Sequence, residues 1–237
     1  MNLTGASALV TGAGRGIGRA ICLSLAHEGV DVTAVSRTTT ELDSLVAQIR
    51  AAGGRAQPFP GDIRDAGVCA AAVRAAREAH GRLQILVNNA GVAASAPIAQ
   101  TSDEDWERVV GTNLTAAFRL TRAALAELTN GGGHVFMISS LAGQNAIAGL
   151  GAYCASKAAL DHLAACLMLE VRHHGVKVTT IAPGSVNTSF GGLPKADSDW
   201  MLQSEDVAET VVGLLRMRDD AHSSRIEMRP LRPQKRV

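Results

Sequence analysis

Tyr153 and Lys157 are the residues of this chain whose types and spacing most directly suggest chemistry. Four positions apart on a helix, they share one face and can bring their heads within charge reach. A phenol, with an ordinary pKa of about 10, is a poor base near neutrality, and an adjacent ammonium favours its ionised form. Such a pair can move a proton onto or off an oxygen. A second feature is Thr11-Gly12-Ala13-Gly14-Arg15-Gly16-Ile17-Gly18, which joins an aliphatic run to a helical one. A strand, a glycine turn and a helix form an anion site, because glycines let the backbone approach a pyrophosphate and the helix end offers unpaired N–H groups. The spacing is T-G-x-x-x-G-x-G, since Ile17 stands where a strict G-x-G-x-x-G would need glycine. At Ser36-Arg37 a third feature closes the second aliphatic run. An acidic side chain there would bond a free ribose 2'-hydroxyl, whereas a cation pairs with a 2'-phosphate.

These residues need elements to hold them. Hydrophobic periodicity switches repeatedly between short β-like runs and longer helical ones, the signature of a parallel sheet with crossover helices. Strands are expected at Ser7–Val10, Val30–Val35, Arg55–Phe59, Leu83–Val87, His134–Ser139, Val176–Ile181 and Arg225–Met228. Helices are expected to begin near Gly16, Glu41, Asp65, Asp103, Ala152 and Ser204, with Thr40 and Ser102 as examples of N-caps. The stretch 184–203, with its glycines, proline and two bulky aromatics, breaks periodicity after a strand end and reads as a substrate loop.

Composition narrows the function classes. With 23 basic and 22 acidic side chains there is no broad positive field for nucleic acid. No apolar run reaches the roughly 18 to 20 residues that span a bilayer, and Met1 to Val10 lacks the charged start of a signal peptide, so a cytoplasmic protein without a membrane partner is expected. Cys22, Cys69, Cys154 and Cys166 form no C-x-x-C pair and are expected as free thiols, with no metal site. His173-His174 reads as a helix C-terminal pair. The basic tail from Arg225, against the single acid Glu227, reads as solvated or subunit-contacting.

Further motifs lie downstream: Asn88-Asn89-Ala90-Gly91 after the fourth strand, Asn113, Ser139-Ser140 ending the fifth, Tyr153-Cys154-Ala155-Ser156-Lys157, and Pro183-Gly184-Ser185-Val186-Asn187-Thr188 closing the sixth. Together with the glycine turn they resemble, in order and over nearly the whole chain, the short-chain dehydrogenase/reductase family. The resemblance implies one α/β domain over residues 1–237, a Rossmann-type doubly wound, mostly parallel seven-stranded sheet with helices on both faces.

It also implies hydride transfer between a nicotinamide and a ketone or secondary alcohol. Tyr153 would give the forming alkoxide its proton or take the hydroxyl proton, and Ser140 would hold the same oxygen. Asn113 would join a water relay to Lys157, and Lys157 would hold the nicotinamide ribose. Lys157 and the oxidised nicotinamide would together lower the Tyr153 pKa. Cofactor contacts carry over to Gly12, Arg15, Gly16, Ile17 and Gly18, to Ser36 and Arg37, to Asp62 and Ile63 beside the adenine, and to Asn89, Ala90 and Gly91. Tyr153, Lys157, Pro183, Gly184, Val186 and Thr188 complete the set. The sequon Asn187-Thr188-Ser189 is read as cofactor contact and not as a glycosylation site. Arg15 and Arg37 favour NADP(H).

Within the family the chain looks most like the 3-oxoacyl-[acyl-carrier-protein] reductases in its length, its Arg37 and its short loop. It departs from them at Thr129-Asn130-Gly131 and His174-Gly175, where that group carries basic residues, and at its M-R-P-L-R-P-Q-K-R-V end. The family also implies a homotetramer, with a homodimer second, built on the helices from Asp103 to Leu128 and from Ala152 to His173. The alternative of another class is a non-catalytic nucleotide-sensing regulator or scaffold on the same fold. Such proteins typically lose the tyrosine or the lysine, and this chain keeps both.

Overall fold

Ser7–Thr11 and Gly133–Ile138 are buried along their whole length, which only a strand covered on both faces can be. The computed structural model describes residues 1–190 and 200–232 and shows the rest of that arrangement. In chain order the elements are β1 (Ser7–Thr11), α1 (Gly16–His27), β2 (Asp31–Ser36), α2 (Thr39–Ala51), β3 (Ala56–Pro60), α3 (Ala66–His80) and β4 (Leu83–Asn88). They continue with α4 (Asp103–Val110), α5 (Ala116–Thr129), β5 (Gly133–Ile138), α6 (Gly151–Val171), β6 (Val176–Pro183), α7 (Ser204–Leu215) and β7 (Arg225–Met228). The strands form one seven-stranded sheet in the order β3-β2-β1-β4-β5-β6-β7. Every pairing is parallel.

Helices cover both faces. Ile21 and Leu25 of α1, Leu42 and Leu45 of α2, and Val211 and Leu215 of α7 pack on one side. Ala72 and Ala76 of α3, Leu120 and Leu128 of α5, and Leu160 and Leu167 of α6 pack on the other. Small residues let these helices sit close to the sheet, and Phe136 is the one fully buried aromatic ring among the largest buried side chains. Pro58 and Pro60 fit in β3 because that strand is an edge, where a missing N–H need not break a ladder.

Several boundaries differ from the sequence expectation. Ser102 is the N-cap of α4, its Oγ accepting from Asp105 N at 3.1 Å. By contrast α2 is capped at Thr38 and not at Thr40, because the chain is already turning after β2, where Ser36 Oγ accepts from Thr38 N at 3.3 Å. The helix expected from Asp103 to Leu128 is interrupted by a π turn over Gly111–Thr115. Such wide turns often mark functional positions, and this one carries Asn113. Of the expected loop 184–203, residues 191–199 lie outside the described residues, as does the tail from 233. No helix among the described residues is long and apolar enough to cross a membrane.

The opposite end of the sheet holds a buried imidazole. His134 on β5 stacks on Phe136, with ring centroids 4.0 Å apart, and its Nε2 meets Thr179 Oγ1 at 2.8 Å. Thr179 donates to Ser223 O at 2.7 Å, so its oxygen is left to accept and the neutral Nε2–H form of His134 satisfies both bonds. Burial, helped by the neighbouring His222, depresses the His134 pKa from 6.5 to about 3. The unfolded chain therefore takes up this proton first as pH falls, so stability is lost progressively below about pH 6.5. Between pH 6.5 and 5 the loss from this group is about 2 kcal/mol. Urea unfolding of wild type and His134→Val at the two pH values checks this: the variant should lose less on acidification, and an equal loss in both would refute the assignment.

Candidate active site

The chain leaves β1 toward α1 on one face and leaves β4 toward the opposite face, opening a crevice at the carboxyl ends of the two central strands. Thr11 and Asn89 tie its walls together. Thr11 Oγ1 donates to Val87 O at 3.3 Å and accepts from Asn89 N at 3.0 Å and Ala90 N at 3.1 Å. Asn89 Nδ2 returns a bond to Thr11 O at 2.8 Å. Asn89 therefore braces the glycine turn. Gly16 takes φ +54°, and a Cβ on Gly18 would stand 2.5 Å from Asn89 Nδ2, so neither position admits a side chain without displacement.

From this turn a groove of about 640 Å³ runs across the strand ends, within the usual range for ligand sites. Its lining brings together Gly12, Arg15, Gly16, Ile17, Ser36, Arg37, Asp62 and Ile63 at one end. Asn89, Ala90, Gly91, Ser140, Tyr153, Lys157, Pro183, Gly184, Val186 and Thr188 line the remainder. Gly18 and Asn113 stand behind this wall. Thr188 lies over the glycine turn, its Cγ2 3.3 Å from where a Gly16 Cβ would be. Glu41, Arg64, Arg108 and Thr112 also line the groove; the sequence marks Glu41 only as a helix start and the other three not at all. Glu41 and Arg64 each follow a strand end by only a few residues, which is the signal that could have found them.

The Asp62 carboxylate is gripped by Arg64, whose Nη2 and Nε donate to Oδ2 at 2.6 and 3.0 Å. That hydrogen bonding holds the Asp62 pKa below its ordinary value. Arg119 of α5 in turn donates to Arg64 O at 2.5 Å and fastens this loop.

At the other end Tyr153 and Lys157 open successive turns of α6. Lys157 is buried, and its Nζ donates to Ile138 O at 2.8 Å and lies 5.8 Å from the Tyr153 ring centre. Burial lowers its pKa from 10.5 to about 8, opposed by the Asp161 carboxylate one turn on. Asp161 is paired with Arg225 at 3.0 Å, which places the first tail arginine behind the lysine. Ser140 Oγ accepts from Ala142 N at 3.1 Å. Asn113 is fully engaged: Oδ1 accepts from Val92 N at 2.8 Å, while Nδ2 donates to Val92 O at 2.9 Å and to Ser156 Oγ at 3.0 Å. Its side chain fastens the segment after β4 to α6.

In the protein alone the Tyr153 pKa is raised above 10.0 by burial, and the group that opposes the rise is Ser140 by hydrogen bond, not Lys157. The ammonium is directed at the Ile138 carbonyl, so the i, i+4 spacing alone does not deliver its charge to the phenol oxygen.

A family model described as short chain dehydrogenase matches residues 6–197. The chain is 40% identical over 187 residues to the 2,5-dichloro-2,5-cyclohexadiene-1,4-diol dehydrogenase LinX of Sphingobium indicum, covering 78% of this chain and 75% of that one. Among solved structures it is similar to an alcohol dehydrogenase from Thermococcus sibiricus complexed with 5-hydroxy-NADP, with TM-score 0.92 and 26% identity over 97% of this chain and 99% of that one. A metagenomic short-chain oxidoreductase in complex with NADP matches with TM-score 0.87 and 34% identity, over 98% and 100% of the two chains.

Tyr153 is the single tyrosine of the chain, so phenolate absorbance reports it directly. Without cofactor its transition is expected above pH 10, and Ser140→Ala should move it further up by removing the opposing hydrogen bond. A transition below pH 10 in the protein alone would contradict the burial argument.

Proposed function

Because the chain belongs to the short-chain dehydrogenase family, we propose that it is an NADP(H)-dependent carbonyl reductase or alcohol dehydrogenase acting on a ketone or secondary alcohol. The observation that carries this reading is the convergence of Ser140, Tyr153 and Lys157 at one end of a groove whose other end presents Arg15 and Arg37. The two similar structures that hold NADP or 5-hydroxy-NADP support the choice of cofactor. The whole chain acts as one catalytic domain.

The residues fit that cofactor. The turn at Gly12 to Gly18 leaves backbone room for a pyrophosphate at the start of α1, and Arg15 and Arg37 are exposed at the groove's edge for charge-assisted bonds to a 2'-phosphate. When bound, the nicotinamide supplies or accepts the hydride. Tyr153 then supplies the matching proton to the carbonyl oxygen in reduction, or removes it from the hydroxyl in oxidation. Ser140 Oγ accepts from Ala142, and its own proton, which serves Tyr153 in the protein alone, would turn to the same substrate oxygen. Lys157, with one donor on Ile138 O, keeps two for the ribose side and for proton supply behind Tyr153. Asn113 acts by position, through Val92 and Ser156.

A screen of ketones, 3-oxoacyl thioesters and secondary alcohols with each cofactor tests the activity. Tyr153→Phe should lower kcat by roughly 10²- to 10⁴-fold while leaving cofactor affinity nearly unchanged. Turnover by the Phe variant near the wild-type rate would exclude the proton role. A wild-type chain that binds NADPH and turns over no substrate would favour the sensing or scaffold alternative. Arg37→Asp should reverse the cofactor preference in steady-state kinetics.

We further read the chain as a homotetramer. Trp106 on α4, Phe118 on α5 and Leu169 on α6 are 47%, 42% and 59% exposed, which is costly for large apolar side chains left in water. Light scattering at micromolar concentration should give four chains per particle, and a monomer would overturn this assignment.

A further inference from the structure

Lys157 and Asp161 are spaced i, i+4 on α6, with the cation first. On a helix both side chains lean toward the N-terminus, so the lysine head passes over the turn that holds Tyr153 and away from the acid. The structure follows that rule. Lys157 Nζ donates to Ile138 O at 2.8 Å, and among the described residues it has no direct ion-pair partner. Asp161 is nevertheless held close. Its side chain is 8% exposed, and a Cβ placed on Gly143 would stand 2.8 Å from its Oδ2 and 3.1 Å from the Lys157 carbonyl oxygen. Gly143 therefore packs on the turn that joins the two residues, a short step along the chain from Ser140.

Asp161 is only half satisfied. Its Oδ2 accepts from Arg225 Nη2 of β7 at 3.0 Å, while Oδ1 is buried and has no hydrogen-bond partner among the described residues. A buried anion with an open oxygen is costly unless a neighbouring charge gains from it. Two cations stand within its reach, the exposed Arg225 and the buried Lys157. Arg225 also shares its charge with Glu227, its Nε lying 3.8 Å from Oε1. The other groups that face Lys157 are uncharged near neutrality: the Tyr153 phenol on α6, Ile138 O and Ser139 on β5, and Gly91 after β4 with Asn113 behind it. Among the described residues Asp161 is thus the one anion that acts on the lysine, and it favours the charged form where burial opposes it.

We propose that Asp161 is a positioning residue for the proton step, keeping Lys157 charged behind Tyr153, and that Arg225 sets how strongly it does so. The proposal rests on reading Tyr153 and Lys157 as the pair that handles the substrate's proton. When Tyr153 gives its proton to a carbonyl oxygen, it is left as a phenolate that needs a cation nearby and a proton to replace the one lost. A charged Lys157 supplies both. Asp161 does not line the groove and works through the lysine. Arg225 works in the opposite sense, because its charge neutralises part of Asp161 and repels the ammonium beyond it.

Titration of the lysine itself tests this without substrate or cofactor. The chain has four lysines, Lys157, Lys177, Lys195 and Lys235, so carbon-13 NMR of labelled lysine gives four side-chain signals, and Lys157→Met identifies the one in question. In wild type that signal should titrate at about pH 8. Asp161→Asn should bring its midpoint to about 7 and Arg225→Gln should raise it to about 9, the usual scale for one nearby charge. The basic limb of the pH profile for NADPH-linked reduction should move in the same two directions. A packing role alone would give no shift, or the same shift in both variants, and either result overturns the proposal. Should Asp161→Asn fail to fold, the upward shift in Arg225→Gln, made at the exposed partner, decides alone. Shifted midpoints with no turnover of any carbonyl would overturn the catalytic reading of the groove, whereas turnover with fixed midpoints would overturn only the role given to Asp161.

Discussion

The site depends on the join between β1 and β4. These strands lie side by side, yet the chain leaves them toward opposite faces, and a sheet parting in this way would leave backbone groups of both loops without partners. The buried Thr11 hydroxyl resolves this by serving both walls, one bond into β4 and two from the segment after it. Asn89 answers from the other side through Thr11 O. With those bonds made, the glycine turn sits close enough to Asn89 that Gly18 must lack a Cβ, and the first residues of α1 line the groove. Positions that a motif presents as ligand contacts thus begin as the structural condition for any ligand to fit.

The Tyr153 end of the groove is organised by burial. Lys157 carries a charge in a place where desolvation works against it, which brings its pKa down to about 8. The Ile138 carbonyl, and Asp161 one turn away, keep the ammonium tolerable there. The same burial disfavours the phenolate of Tyr153. The resting pair is therefore a neutral phenol beside a cation close to its own transition, which suits proton donation to a developing alkoxide.

Much of this was legible in the chain. Strand positions followed from short aliphatic runs because both faces of a parallel sheet demand them, and the order of glycine turn, N-N-A-G, Y-x-x-x-K and P-G-x-V-x-T located most of the groove's lining. What escaped was three-dimensional. No periodicity marks the π turn at Gly111–Thr115, since one extra residue in a helical ring leaves the apolar spacing nearly intact. The raised Tyr153 pKa comes from burial of the ring, and spacing along the helix does not specify that. Glu41 read as a helix-opening residue because a local motif explained it, and only the approach of Gly14 shows that it faces elsewhere.

The two ends of the groove also differ in how firmly their chemistry is held. Lys157 and Asn113 are fixed by hydrogen bonds to Ile138 O and Ser156 Oγ, in surroundings where charges interact strongly and one lost partner leaves an unsatisfied group. At the other end Arg15 and Arg37 are exposed, and charges in water are worth about 0 to 1 kcal/mol per pair. Selectivity there must come from the sum of several weak terms of either sign. A single substitution at that rim changes the balance without disturbing the core. The fold therefore holds the Tyr153 end of the groove firmly while leaving the Arg15 and Arg37 end open to adjustment by a few surface side chains.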